Sequence, residues 1–393
     1  MEVGHVAQTV ERVGVRRWVA VAAVAVGTFL LVTAEQLPVG LLTPVGADLR
    51  VSDGVAGLMV TIPGIVAAVA APLVPVLVGR LDRRVLLGAL MALMTLANAL
   101  SALAPTYPVL LGSRVLVGVA IGGFWAVAGG LATRLVPEPH VPRATALIFG
   151  GVAAANVLGV PIGTLLGDFA GWRVAFGALG ALAAVVLVAL FALLPPLVAD
   201  RPLRPRMLLA QLRNRGVATG ILVTLLVVTG HFAAYTFVSP VLQERAGVPA
   251  ALVGPLLLGF GAAGIVGNFV AGFAVARRPH RTVLGIVVAL ALVLALHALL
   301  GTGAVGGIAL LLLWGLAYGG VSVSLQSWMI VAAPRAVEAA TALWVSVFNL
   351  AIGLGALVGG LVVDRAALVG VLWLAAALFL LAAVAVRAGA RAA

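Results

Sequence analysis

Two ionisable side chains stand where such groups are costly. Glu35 is the one acid well inside a long apolar run, and Arg114 is the one arginine inside such a run. A charge at the centre of a bilayer costs about 2.5–3.5 kcal/mol. A carboxyl kept there either exchanges a proton or bonds a neighbouring helix without titrating. At about 1.5 Å of rise per residue, Glu35 and Arg114 come to comparable depth in their runs. That pairing suits proton coupling, with the arginine tuning the carboxyl or contacting a bound molecule.

Other residues gather around the same idea. His231 lies about 196 residues after Glu35, half the chain length. With Tyr235, Trp314, Tyr318, Gln326 and Asn349 it supplies the polar and aromatic groups that line a cavity for a small molecule, or else simply packs. His297 stands apart in an apolar run and reads as lipid-facing, without a role. Gly159, Pro161, Gly163 and Gly167 allow close helix approach and a bend. Gly261, Gly264 and Gly267 are candidates to face them. Asp82, Arg83 and Arg84 sit between two apolar runs, where they either gate one end by bonding across the molecule or anchor the loop. Exposed ion pairs contribute only about 0–1 kcal/mol.

Several chemistries are excluded. There is no cysteine, and the five histidines show no paired metal spacing, so no metal or cofactor is expected. No phosphate-binding glycine loop and no clustered His, Asp and Glu are present. An enzyme and an ATP-driven pump are therefore not expected.

The elements that position these residues are membrane helices. The chain has 393 residues, 63% of them hydrophobic and only 9% charged. A soluble domain carries about 25% charged residues. A helix crossing the hydrocarbon core needs about 20 apolar residues. Such runs lie near 17–46, 55–79, 84–104, 108–131, 144–167 and 173–196, then near 216–242, 251–276, 282–301, 304–332, 337–363 and 366–388. None alternates with a period of two, so strands are not expected.

The net charge is +12 and every basic residue is arginine. Nineteen of the 24 arginines fall on alternate loops, four on the others, and Arg114 within a run. This is the pattern of membrane topology rather than of nucleic-acid binding, and it predicts both termini in the cytoplasm. Cleavage after Val32-Thr33-Ala34 as a signal peptide would leave an odd number of spans. The arginine alternation fits the uncleaved count.

The halves echo each other. Thr43-Pro44-Val45 recurs as Ser239-Pro240-Val241, Asp48 and Arg50 as Glu244 and Arg245, and Asp168 as Asp364. Six helices per half keep the same orientation, so the repeats are parallel, the arrangement of two bundles that rock about a central site. The expected organisation is residues 1–196 as one bundle, 197–215 as a cytoplasmic linker and 216–393 as the second bundle.

Thr33-Ala34-Glu35-Gln36-Leu37-Pro38-Val39-Gly40-Leu41-Leu42 resembles the first-helix signature of bacterial sugar-efflux and purine-nucleoside-efflux transporters. These belong to the drug:proton antiporter branch of the major facilitator superfamily. Gly122-Gly123-Phe124-Trp125-Ala126, Arg134-Leu135-Val136-Pro137 and the segment from Gly159-Val160-Pro161-Ile162-Gly163-Thr164 to Gly171-Trp172-Arg173 are similar to that group too. Three features depart from it. Gly79 stands three residues before Asp82, where the superfamily has four. Ala276 and Arg277 occupy the place of a second-half acid. Glu35 is followed by Gln36 where Glu-Phe is frequent.

The resemblance implies an all-α membrane protein with the major facilitator fold. It implies a monomer in the bacterial cytoplasmic membrane, exporting a sugar, a purine nucleoside or a drug in exchange for protons. A facilitated uniporter and a non-transporting membrane sensor are the alternatives. It also implies an arginine four residues before Gly118, met by Arg114. Phe124 and Trp125 join the substrate-binding set, and the fifth-run glycines become an antiporter packing motif.

Overall fold

The computed structural model describes residues 14–79, 81–128, 131–197, 210–275, 277–334 and 336–392. Most of the 197–215 linker, with Arg201, Arg204 and Arg206, lies outside the described residues, as do Arg12, Arg80 and Arg335. Twelve helices among the described residues are long and apolar enough to cross a membrane. They are Val15–Leu49, Asp53–Val74, Arg83–Ala102, Tyr107–Ala128, Glu138–Ala170 and Trp172–Leu193, then Arg215–Tyr235, Ala250–Val275, Pro279–Leu300, Ala304–Ala332, Ala339–Arg365 and Leu368–Gly389. No strand occurs among the described residues. The backbone reason is simple: within lipid only a helix satisfies its own N–H and C=O groups.

The first span is the pivot of its bundle. It is one helix from Val15 to Leu49 despite Pro38 and Pro44, and it ends where Arg50 turns into the left-handed region at φ 56°. Its last turns are pinned at the arginine-poor end. Asp48 accepts from Trp172 Nε1 at 3.1 Å and from Arg173 at 2.6 Å, and Arg173 also donates to the Ala104 carbonyl at 3.1 Å. Gly171-Trp172-Arg173 thus fastens the sixth span to the first. The Arg173–Asp48 pair is half exposed, so its contribution is about 0–1 kcal/mol.

Three spans are less regular than their apolar runs suggest. The fifth opens into a π-helical turn over Ala155–Gly159 before resuming as an α-helix over Val160–Ala170. Pro161 is the cause: it has no N–H and its ring would collide with the carbonyl four residues back, and a wider turn relieves both. The seventh breaks after Tyr235 and ends in a second π turn over Val241–Arg245. The tenth is two helices, Ala304–Gly319 and Val321–Ala332, meeting at Gly320.

The bundles join chiefly through the second and eleventh spans and through the fifth and eighth. Gly64 and Gly353 bring the second and eleventh into backbone contact, since a Cβ on Gly353 would lie 2.7 Å from the Thr61 carbonyl oxygen. Gly261 of the eighth span faces the backbone of Asn156 and Val157, and Gly254 faces Leu165. These contacts lie between mid-depth and the arginine-poor end. Nearer the arginine-rich end, the space where a Cβ on Gly150 or Gly272 would sit has no atom within 4 Å.

Candidate functional site

Glu35 lies at mid-depth on the first span and is 5% exposed. Its Oε1 has no hydrogen-bond partner among the described residues. Arg114 is fully buried on the fourth span but forms no ion pair with Glu35. It donates instead to the Ala34 carbonyl at 3.2 Å and to Ser101 Oγ at 2.6 Å, and its guanidinium sits 4.7 Å from the Phe176 ring centroid. Ser101 Oγ in turn lies 2.7 Å from Ser113 Oγ. One hydroxyl, itself bonded to a second, together with a carbonyl and an aromatic face thus solvates a cation that has no carboxylate within bonding range. Arg114 touches the first span one residue before Glu35, so it reaches the carboxyl through the backbone rather than through a direct bond. Ser101 and Phe176 carried no signal in the sequence that set them apart from ordinary helix residues.

Across the molecule the structure brings together His231, Tyr235, Trp314 and Tyr318. The imidazole stacks on Tyr318 with a centroid separation of 3.3 Å and on Tyr235 at 4.9 Å. Trp314 donates its indole N–H to His231 Nδ1 at 3.2 Å. A ring nitrogen that accepts is unprotonated, so the neutral imidazole holds its proton on Nε2. Phe260 completes the cluster at 4.9 Å from Tyr235 and 5.8 Å from Trp314. It was not foreseen, because one phenylalanine in an apolar run is indistinguishable from packing.

The remaining expected residues are more scattered. Phe124 is fully buried against Gly27 of the first span and belongs to the bundle core. Trp125 is partly buried, its ring 5.8 Å from Phe149. Asn349 donates to Val345 of its own helix at 2.9 Å, and its carbonyl borders Gly64. Gln326 is partly buried, away from the histidine cluster's bonds. His297 is 1% exposed, not lipid-facing as its apolar neighbours suggested, because the turn at Gly301 folds back over it.

The glycine motif packs on a different partner from the one expected for most of its length. Gly159, Gly163 and Gly167 face Thr33, Leu37 and Leu41, so the fifth span lies against the first at matching four-residue steps. Gly261 does meet the fifth span. Gly264 and Gly267 turn instead to the tenth, at Gly315, Gly319 and Leu316. Helical spacing carries the cause: each step of three residues falls about 60° short of a full turn, so the three glycines drift around the helix from the fifth span towards the tenth.

Asp82 accepts from Arg84 N at 2.8 Å and Leu197 N at 2.9 Å, and Arg83 N donates to the Leu197 carbonyl at 2.9 Å. Arg84 also donates to the Phe191 carbonyl. These bonds cap the third span and hold the chain leaving the sixth within one bundle.

The bonds that do cross between bundles lie at the other end. Asp364 accepts from Ser52 Oγ at 2.9 Å and from the Gly54 N–H at 3.1 Å, and Ser239 Oγ donates to the Val39 carbonyl at 3.1 Å. The carboxylate sits at the start of the helix that follows Ser52, where free N–H groups favour an anion. Only its repeat relation to Asp168 marked it in the sequence. Charge-assisted bonds of this kind contribute about 1.5–3 kcal/mol when buried and less at a wet surface. Replacing Asp364 with Ala is therefore expected to open this end about tenfold more often. The chain contains no native thiol, so a single Thr61→Cys reporter, buried at the seam, measures the change as its rate of labelling by an impermeant thiol reagent. An unchanged rate rules out Asp364 as a latch.

Two six-helix bundles that meet through close glycine contacts around buried polar groups define a membrane transporter. The residues 24–340 match the model of the Major Facilitator Superfamily, and the chain belongs to that family. It is 38% identical to the transcription regulatory protein OpdE of Pseudomonas aeruginosa, over 93% of this chain and 92% of that one. It is 33% identical to the purine ribonucleoside efflux pump NepI of Salmonella paratyphi A, over 98% of both. Among solved structures it resembles a bacterial homolog of the human lysosomal transporter Spinster in an inward-facing, occupied conformation, with a TM-score of 0.74. That match covers 96% of this chain and 97% of the other at 15% identity, and it bears on the fold alone. The chain is thus a multi-pass membrane transporter of the superfamily rather than an enzyme, and its cargo is a small molecule.

Proposed function

We propose that this protein is a proton-coupled exporter of small molecules, working by alternating access between its two bundles, with purine nucleosides the first cargo to test and sugars and amphipathic drugs the others. The observation that supports this reading best is Glu35: a buried carboxyl on the first span whose Oε1 has no hydrogen-bond partner among the described residues, one residue from the carbonyl that a buried arginine bonds. Its protonation from one side and release to the other couples proton entry to the rocking of the bundles. Arg114, held against Ala34, transmits the change of charge to the first span. His231, Tyr235 and Trp314 form the centre of the proposed substrate wall, with Trp125, Gln326 and Asn349 at its margins and Phe124 backing it from the bundle core, and the glycine motif of the fifth span holds that span against the first.

With the arginine-rich loops in the cytoplasm, the end joined by Asp364 and by the Gly64–Gly353 contact faces out. In this orientation Asp82, Arg83 and Arg84 act at the cytoplasmic end when it closes. Reporter fusions after Ala393 and within 201–206 are expected to read inside, and a fusion near Asp53 outside. An outside reading at the C-terminus contradicts the topology.

The test of function is flux in proteoliposomes across a panel of nucleosides, sugars and drugs, with and without an imposed pH gradient. A second reading comes from the regulatory relative: a sensor on the same fold binds its ligand and moves none. A uniporter equilibrates its ligand without responding to the pH gradient.

A further inference from the structure

Two carboxamides at the seam of the bundles have no part in the coupling described above. Gln36 follows Glu35 on the first span, and Asn156 stands in the π turn of the fifth. Gln36 Nε2 lies 2.9 Å from Asn156 Oδ1. Gln36 is partly buried and Asn156 exposed, while the residues on either side of Gln36 are buried. From Ala20 to Leu42 the residues of the first span that escape burial are Ala22, Val26, Phe29 and Gln36, which share one helical stripe. That stripe runs from the carboxamides to the arginine-rich end. The fourth and fifth spans flank it: Phe124 packs on Gly27, Gly151 faces the backbone of Phe29, and Trp125 contacts Phe149. The backbone of Asn156 also abuts Gly261, so the pair sits where the two bundles meet.

Placing amides at mid-depth is costly unless their hydrogen bonds are met. The mutual bond meets only part of the need, because each carboxamide has donors and an acceptor. One amide keeps a free acceptor and the other a free donor, and this holds whichever way round the oxygens and nitrogens are assigned. The open side of the pair therefore presents a donor next to an acceptor. Its complement is an acceptor next to a donor on one ligand edge. About 10 Å away along the stripe, seven residues at 1.5 Å each, Phe29 offers a partly exposed ring, with Trp125 and Phe149 beside that level.

We propose that Gln36 and Asn156 set cargo specificity by reading the edge of a planar heteroaromatic ring, as an aminopurine presents. This rests on the transport reading and names the chemistry of its cargo. The π turn before Pro161 carries Asn156, whose side chain meets Gln36.

Adenosine and purine riboside differ by the exocyclic amine and share the same ribose, so their ratio isolates the base edge. Competition binding to the purified protein in lipid nanodiscs is expected to favour adenosine about tenfold, the worth of one good hydrogen bond. In Gln36→Met and in Asn156→Leu, which keep shape and remove the amide, the ratio is expected to fall to about one. A ratio is internal to each preparation, so a lower folded yield does not disturb it. A wild-type ratio of one, a ratio that survives both substitutions, or no binding of either nucleoside overturns the inference. Flux separates the two claims. A protein that discriminates in binding but carries no nucleoside under a pH gradient keeps the inference and ends the transport reading. One that carries both nucleosides equally does the reverse.

Discussion

Glu35→Gln is expected to reduce pH-gradient-driven accumulation of cargo to equilibrium. The substitution keeps the shape of the side chain and removes the proton it can exchange. A one-for-one exchange of a proton for a neutral cargo under a gradient of about two pH units supports up to about a hundredfold concentration ratio, since each tenfold step in either gradient is about 1.4 kcal/mol. In the variant that ratio is expected to fall to about one. Folding should be unaffected, because Glu35 Oε1 makes no bond among the described residues that the amide would lose. The neutral amide also avoids the cost of a charge at mid-depth. Counterflow of cargo without a pH gradient is expected to persist. If Glu35→Gln still concentrates cargo when a pH gradient is the sole driving force, the carboxyl is structural and another group couples the proton.

The second large effect is expected at the seal. A Cβ at position 353 would lie 2.7 Å from the Thr61 carbonyl oxygen and 2.9 Å from the Ile65 nitrogen. These are backbone atoms that cannot swing aside as a side chain would. Overpacking of this kind costs about 1–3 kcal/mol. The cost falls only on the state in which the second and eleventh spans touch. Gly353→Leu therefore shifts the population towards the state open at the arginine-poor end, by about tenfold or more at 1.4 kcal/mol per tenfold. The Thr61→Cys reporter should label correspondingly faster from that side, and transport should slow because the closed state is harder to reach. Equal labelling in the two backgrounds would show that the seal lies elsewhere.

How much of this was legible beforehand differs by element. The twelve spans were, because twenty apolar residues in a row have few other fates and arginine marks their ends. His231 stood out in the sequence as a polar group inside an apolar run, and Tyr235, Trp314 and Tyr318 do gather around it. The partners were not. Arg114 bonds Ala34 and Ser101 rather than Glu35, a matter of side-chain direction that depth alone does not give. Gly264 and Gly267 face the tenth span because a small residue declares close approach without declaring to whom. The π turn needed Pro161 and its surroundings together. Asp364 looked like a loop acid, and only the docking of the second span on the eleventh turns it into a bond between bundles. His297 was read as lipid-facing because its neighbours are apolar, and the turn that buries it is a tertiary feature.

The measurement that bears most directly on the central claim is transport itself. Purified wild-type protein, reconstituted into proteoliposomes, is given radiolabelled adenosine outside and an acid interior, with the membrane voltage clamped. For the molecules whose cytoplasmic face is turned outward, the account predicts accumulation of label above its external concentration and its collapse when a protonophore is added. Uptake that stops at equilibrium whatever the pH gradient, for adenosine and for every sugar and drug in the panel, would contradict it.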